Sequence, residues 1–579
     1  MSCCCSIPRP EHPRPQFVRD AWVNLNGCWE FAYDHGDSGE PRGMYKADAV
    51  FPEKIIVPFC PESRLSGIGN VDFMSAVWYR RTITLTEEQC AARSFLRFGA
   101  VDYTATVYIN GVKAGSHVGG YVGFGVEMTK YVKPGENTIV VQAQDDTRRH
   151  GQPRGKQSSY YFSRGCDYTR TTGIWQTVWM EFVPTTYLKG VKIVTDDRNA
   201  SVAFEADIDG CPLGTELVTE IFYEGKSVGS TRIKGNKGST RYNCAVSEVN
   251  FWMPGDPKLY DVVYTLYKDG EVIDTVRSYF GFRRINIVGK KVLINGKSIF
   301  QRLVLDQGFY PDGIYTAPSD EALKADIEMS MAAGFNGARL HQKVFEERFL
   351  YWADKLGYMV WGEHASWGSA MAGEEAIAAF LPEWIEIVQR DINHPAIVGW
   401  CPYNESSRPH DPRTLSVTYQ TTKALDPTRP CIDTSGWIHV VTDIYDVHNY
   451  DQNPETFAKT YEKVCEDTFD NPYNNGAAQY EGQPFFVSEY GGTWWAPGRA
   501  DGWGYGNTPK TEQEVADRYV GLTTALLKNP AICAFCYTQL TDIEQEQNGI
   551  YAYDRSRKFS DEIYEQIRAA NIQPAAIED

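Results

Sequence analysis

The sequence predicts a multidomain β plus α/β protein: two all-β units followed by a parallel (β/α)8 barrel, the TIM-barrel architecture. Three observations predict it. A chain of 579 residues exceeds what a single core supports. From residue 17 to about 281 it is a succession of short strand-like runs separated by turn residues. From Phe282 onward, apolar strand-like runs alternate with helix-like segments, the pattern of a parallel sheet.

Residues 1–16 carry four Pro, two Arg and no apolar h-region, so they read as a disordered start and not as a secretory signal. The first domain, residues 1–184, then offers Trp22 to Gly27, Trp29 to Tyr33, Val77 to Thr84 and Phe95 to Phe98 as strands. Thr104 to Ile109 alternates and meets Asn110-Gly111, the strongest short hairpin signal. Evenly spaced strands of this kind suggest a jelly roll. Gly119 to Gly125 superficially resembles a phosphate loop, but it opens no helix and reads as strand and turn. Residues 185–281 form a second β unit with turns at Glu224-Gly225 and Asp269-Gly270, for which an immunoglobulin-like sandwich is expected.

Residues 282–579 make the barrel. Its predicted strands are Ser298–Leu305, Asn336–His341, Tyr358–Trp361, Ile397–Pro402, Cys431–Thr434, Ile444–His448, Phe485–Ser488 and Ile532–Tyr537. Helices fall between them, over 319–333, 345–356, 374–392, 413–425, 455–466, 510–528 and 559–570, with Ser319 capping the first.

In such a barrel the chemistry sits where strands end. Those ends hold Asp306, Arg339 with His341, Glu363, Asn404 with Glu405, Asp433, His448 with Tyr450, and Glu489; the eighth ends in Tyr537-Thr-Gln539. Two of them, Glu405 and Glu489, terminate buried-looking apolar runs abruptly, which serves packing poorly and chemistry well. Aromatics crowd the same loops: Trp367, Trp437, Trp494, Trp495, Trp503 and Tyr505. Carboxylates, amides and aromatic faces together suit a sugar. Two carboxylates then suit glycoside hydrolysis, one protonating the departing oxygen and the other attacking the anomeric carbon or directing water to it. Arg339 beside the nucleophile would hold it ionised. As isolated residues, His341 and His448 fit a satisfied polar group as well as a ligand contact. No HxH or HExxH spacing points to a catalytic zinc, so neither metal nor cofactor is expected.

Asn404-Glu405, Ser488-Glu489-Tyr490-Gly491 and Arg339-Leu-His341 resemble family 2 of the glycoside hydrolases, which contains β-galactosidases, β-glucuronidases, β-mannosidases and exo-β-glucosaminidases. The resemblance extends over nearly the whole chain. Ile56-Val-Pro-Phe, Tyr108-Ile-Asn110-Gly111 and Gly173-Ile-Trp-Gln-Thr-Val-Trp179 resemble that family's N-terminal sugar-binding domain, and Tyr279-Phe-Gly-Phe-Arg283 the exit from its sandwich domain. It implies a retaining mechanism with Glu405 as acid/base and Glu489 as nucleophile. It also implies that Tyr450 bonds the nucleophile, that Asp167 reaches the sugar from the first domain, and that Tyr537 stands where β-glucuronidases place a Trp. Asp306, Arg339, His341, Asn404, His448 and Trp494 complete the expected substrate-binding set. Where β-glucuronidases carry Asn-x-Lys for the uronate carboxylate, this chain has Glu546-Gln-Asn548, with Asp542 and Glu544 in the same loop. An acidic loop would repel a carboxylate, so a neutral sugar is expected, galactose first. A β-glucuronidase, β-galacturonidase or exo-β-glucosaminidase on the same scaffold is the alternative, and the rival from another class is a carbohydrate-binding protein that has lost catalysis. The loop 542–546 could equally serve as a solvated or cation-binding segment.

The expected partner is a small glycoside or oligosaccharide. A net charge of −18 and no basic stripe argue against nucleic acid. No run approaches the ~18 apolar residues of a membrane span. The fourteen Cys lack regular spacing, and Cys533-Ala-Phe-Cys536 has no second pair to complete a zinc site. Scattered thiols are expected to be buried and reduced, which points to the cytoplasm. Members of the resembled family often associate, leaving a homo-oligomer open.

Overall fold

The computed structural model describes residues 6–148, 151–236, 238–370, 373–406, 410–473, 478–497 and 501–578. The first domain is built on two sheets. A six-stranded sheet runs Glu53–Val57, Gly27–Tyr33, Ala76–Leu85, Gly135–Gln144, Thr104–Ile109, Val112–Val118 in spatial order. A four-stranded sheet runs Trp22–Asn24, Val178–Val183, Arg93–Phe98, Phe124–Glu127. The alternation in the sequence decides which side is buried: in Arg93–Phe98 every second residue faces a core shared by both sheets, with Trp29, Tyr79, Leu96, Phe98 and Met180 inside it. Asn110 and Gly111 turn the hairpin with positive φ at both positions (50° and 79°), the conformation an Asn-Gly dipeptide favours. The second domain is a seven-stranded sandwich of three plus four strands, and its Cys211 and Cys244 are unpaired.

The barrel strands are β1 (Gln301–Asp306), β2 (Gly337–Leu340), β3 (Met359–Glu363), β4 (Ile397–Cys401), β5 (Thr434–Ser435), β6 (Tyr445–Asn449), β7 (Phe485–Gly491) and β8 (Ile532–Thr538). Seven form one curled parallel sheet in the order β4-β3-β2-β1-β8-β7-β6. The short β5 fills the gap. It pairs with Tyr403–Asn404, the continuation of β4, and its Ser435 hydroxyl donates to Asp446 on β6 (2.7 Å). Burial on both faces explains the unbroken apolar runs: β1, β4 and β7 are buried at every residue. Gly399 sits in β4 because the Trp361 ring of β3 occupies the space its Cβ would need, 2.4 Å away.

Two local expectations change. The helix predicted over 455–466 is Pro454–Thr460 followed by a 3-10 turn, Glu462–Glu466. Tyr461 leaves helical geometry between them and buries its ring near Phe457 and Phe485. Residues 6–16 of the Pro-rich start, expected to be disordered, are ordered. Arg9 lies buried in a seam against the barrel, paired to Glu346 (2.6 Å) and Glu11 (2.6 Å), and its other nitrogen reaches the Ala317 carbonyl (3.2 Å). Polar anchors of this kind leave no apolar periodicity to read.

One excursion of the first domain matters for the site. Residues 151–157 lay their backbone along the loop after β3, with Arg154 N–H donating to Trp367 O (2.8 Å) and Gly151 N–H to Gly368 O (3.2 Å). Tyr168 and Thr169 reach the loop after β8, bonding Glu546 and Glu544. The mouth of the barrel is therefore walled partly by the N-terminal domain.

Candidate active site

Arg339 organises the mouth. Its place in β2, a strand buried at all four residues, aims the guanidinium across the barrel. There it donates to Glu363 (2.7 Å), Glu489 (2.9 Å) and Asn404 (2.5 Å). A guanidinium presents its donors in a rigid planar fork, so one side chain fixes three acceptors from three different strands. Glu363, a strand-end acid by sequence, is absorbed as this counterion and also accepts Gln342 N–H (3.0 Å).

Glu489 in β7 is buried, and each oxygen is held. Oε1 faces Arg339 and lies 3.3 Å from His448 Nε2, and Oε2 accepts the Tyr450 hydroxyl. Burial alone would raise its pKa, but the charges of His448 and Arg339 and the Tyr450 bond outweigh it, leaving a value of about 2. Tyr450 is kept in place by stacking on Tyr505 at 3.4 Å, with their planes 6° apart. Glu405 follows the β4 extension in the left-handed region (φ 49°), where its N–H donates to Ser435 O (2.8 Å). Its carboxylate is half-buried and meets His448 Nδ1 at 2.8 Å. His448 thus bridges both glutamates. Burial lowers its pKa, yet Glu489 and Glu405 win and the net shift is upward. One oxygen of each glutamate and a nitrogen of His448 lie within 4.8 Å of one another. Those three atoms could ligate a divalent cation, but their mutual hydrogen bonds already engage them.

The remaining expected residues divide. Asn404 presents an Nδ2 with no acceptor among the described residues, a donor free for a hydroxyl. His341 is buried, and burial with the charges of Lys156 and Arg339 pushes its pKa well down, so it is neutral. Asp167 stands at the rim, paired with Arg154 (3.1 Å). Trp494 is half-buried in the loop after β7, its Nε1 without an acceptor among the described residues. Two expected residues are engaged away from the glutamates. Asp306 turns back to accept Gly308 N–H (2.9 Å) and makes no described bond to either glutamate; burial and neighbouring Asp326 raise its pKa to about 7. Tyr537 is buried, packed on Tyr490 and Tyr519 beneath Gly491. The sequence reading missed Ser435 and Asp446, which brace His448 from behind (Ser435 Oγ to His448 Nε2, 3.0 Å), and Lys156. For Ser435 the signal was its position at the end of β5; for Lys156 there was none. Beside Glu405 opens a cavity of about 520 Å³ whose walls include His448, Tyr450, Trp437 and Tyr473, the last two stacked on each other.

Known proteins match this arrangement along the chain. The family models described as "Glycosyl hydrolases family 2, sugar binding domain", "Glycosyl hydrolases family 2" and "Glycosyl hydrolases family 2, TIM barrel domain" match residues 22–184, 186–283 and 285–503 in turn. A putative β-glucuronidase of Formosa agariphila is 25% identical over 57% of this chain and 40% of its own length. A β-galactosidase of Thermoanaerobacter pseudethanolicus is 28% identical over 67% of this chain and 51% of its own, so the chain spans about half the length of these relatives. A β-glucuronidase of Paenibacillus borealis is 24% identical over 72% of this chain and 73% of that protein. The solved β-glucuronidase of Ruminococcus gnavus in complex with D-glucuronic acid superposes with a TM-score of 0.80 at 17% identity, covering 97% of this chain and all of that one, a likeness of fold. With all three domain models matched in order, the chain belongs to glycoside hydrolase family 2.

Proposed function

We propose that this protein is a retaining exo-β-glycosidase whose substrate is a β-linked uronide, a β-glucuronidase in class. The observation that carries the chemistry is the glutamate pair, one oxygen of each within 4.8 Å of the other. A separation of that size suits direct attack with carboxyls ~5–5.5 Å apart, whereas an inverting pair stands ~6.5–9.5 Å apart to admit a water. Glu489, ionised and held from two sides, attacks the anomeric carbon as the glycosidic C–O bond breaks and Glu405 gives its proton to the departing oxygen. Glu405 then takes a proton from water, whose oxygen bonds the anomeric carbon and releases Glu489.

The sugar is where the reading departs from the sequence-based expectation of galactose. That expectation rested on repulsion by loop 542–546. In the fold those acids are engaged: Asp542 pairs with Lys558 (2.7 Å), Glu544 accepts Thr169 N–H, and Glu546 accepts from Tyr168 and Asn548 (3.0 Å). The repulsion is thereby weakened, and most of the named relatives are β-glucuronidases. The β-galactosidase relative favours a neutral sugar as the second reading. Hydrolysis of nitrophenyl β-glucuronide, β-galacturonide, β-galactoside, β-glucosaminide and β-mannoside, with Glu489→Ala as control, separates the two. Uronide turnover that disappears in the variant is expected; turnover of a neutral sugar alone would overturn the uronide reading.

A further inference from the structure

Lys156 is a cation that the chemistry above does not use. It belongs to the first domain, and the backbone rungs between residues 151–157 and the loop after β3 hold it at the barrel mouth. Gly155 allows that approach. Its φ is +58°, and a Cβ there would stand 2.2 Å from the Gln342 carbonyl oxygen. Lys156 is only 6% exposed, and its Nζ lies 4.2 Å from the centre of the Trp367 ring. Trp367 in turn donates Nε1–H to Asn404 O (3.3 Å), so the ammonium is fixed beside the Asn404-Glu405 dipeptide. Among the described residues it has no hydrogen-bond acceptor and no ion-pair partner. Burial works against its charge, but the carboxylates around it, Glu489 and Glu405 among them, outweigh burial and the net shift of its pKa is upward. Those acids are already held: Glu489 by Arg339 and Tyr450, Glu405 by His448, Glu546 by Tyr168 and Asn548.

A lysine packed this deeply, with no protein acceptor for its ammonium, is a ready receptor for an anionic group entering the mouth. Loop 541–548 across the mouth offers acids and amides but no cation. We infer that Lys156 receives the carboxylate of the bound sugar, so that the N-terminal domain supplies the group selecting a uronide; the inference rests on the uronide reading above. An ammonium–carboxylate hydrogen bond inside a desolvated site is among the strong ones, and its removal weakens uronide recognition by ~10- to 100-fold.

The test compares nitrophenyl β-glucuronide with nitrophenyl β-glucoside, the same sugar carrying CH2OH in place of the carboxylate, in the wild type, K156M and K156R. In K156M the preference for the glucuronide collapses by at least ~10-fold, through a higher KM with kcat changed less than about threefold. K156R, which keeps the charge, recovers part of it, and thermal melting confirms that both variants fold. Equal losses on both sugars, or a fall in kcat alone, would make Lys156 a charge-balancing residue and overturn the assignment. A wild type that hydrolyses no uronide would take down the uronide reading and this inference with it. Uronide turnover with an unchanged preference in K156M would sink the lysine assignment alone.

Discussion

Replacing Tyr450 by Phe removes a single hydroxyl from the nucleophile's surroundings. The ring keeps its stacking partner Tyr505, and Glu489 keeps Arg339 (2.9 Å) and His448 (3.3 Å) on its other oxygen, so position is preserved and one donor is lost. A hydrogen bond to a charged group contributes ~1.5–3 kcal/mol. This one favours the ionised carboxylate. It weakens when Glu489 becomes an ester and is regained when water releases the sugar. The loss therefore falls on the second step. With roughly half the charge restored at that transition state, the barrier rises by about 1 kcal/mol, a slowing of about fivefold. Y450F should show kcat lower by about that factor, a reduced KM, and a burst of nitrophenolate equal to the enzyme concentration as the glycosyl-enzyme accumulates. Stopped-flow release from an aryl glycoside reads all three. A raised KM with unchanged kcat and no burst would mean that Tyr450 binds sugar and does not serve Glu489.

Other consequences follow from the same contacts. Arg339→Ala leaves Glu363 and Glu489 buried without their shared cation, so stability should fall by ~3–5 kcal/mol in denaturant melts, with activity gone; an unchanged midpoint would contradict the central role given to Arg339. Glu405→Ala should still form the intermediate from a nitrophenyl glycoside, whose leaving group needs no proton, and added azide should then accelerate turnover and yield a β-glycosyl azide; indifference to azide would remove Glu405 from the acid/base role. His439, buried between Asp433 (2.8 Å) and Asp446, has its pKa raised to about 9 because the bond and charges of those acids outweigh burial. A raised pKa stabilises the fold fully below the unfolded value of ~6.5 and loses that contribution as pH rises through about 9, up to about 3 kcal/mol. The difference in melting temperature between wild type and H439Q should shrink across that window, and a constant difference would refute it.

Much of the barrel and its glutamates was legible because the physical rule was local. A strand buried on both faces reads as an apolar run, and a carboxylate ending such a run has a reason other than packing, as with Glu405 and Glu489. Asn110-Gly111 announced its hairpin through the φ values it favours. What failed to show was set by partners distant in sequence. Asp306 and Glu363 end strands alike, yet one folds back on Gly308 and the other is taken by Arg339, and neither fate is written in the neighbouring residues. The acids of loop 542–546 looked repulsive because Lys558, Tyr168 and the Thr169 amide that engage them come from elsewhere in the chain. Arg9 and Lys156 sit in segments without periodicity, held by backbone rungs and polar pairs that leave no pattern.

The central claim is a covalent glycosyl-enzyme on Glu489, and a mechanism-based trap tests it directly. A 2-deoxy-2-fluoro glycosyl fluoride of the preferred sugar should inactivate the enzyme with time, add one fluoroglycosyl mass per chain, and place that mass on the peptide containing Glu489 after proteolysis. Label on another residue, or inhibition that leaves the mass unchanged, would contradict the account.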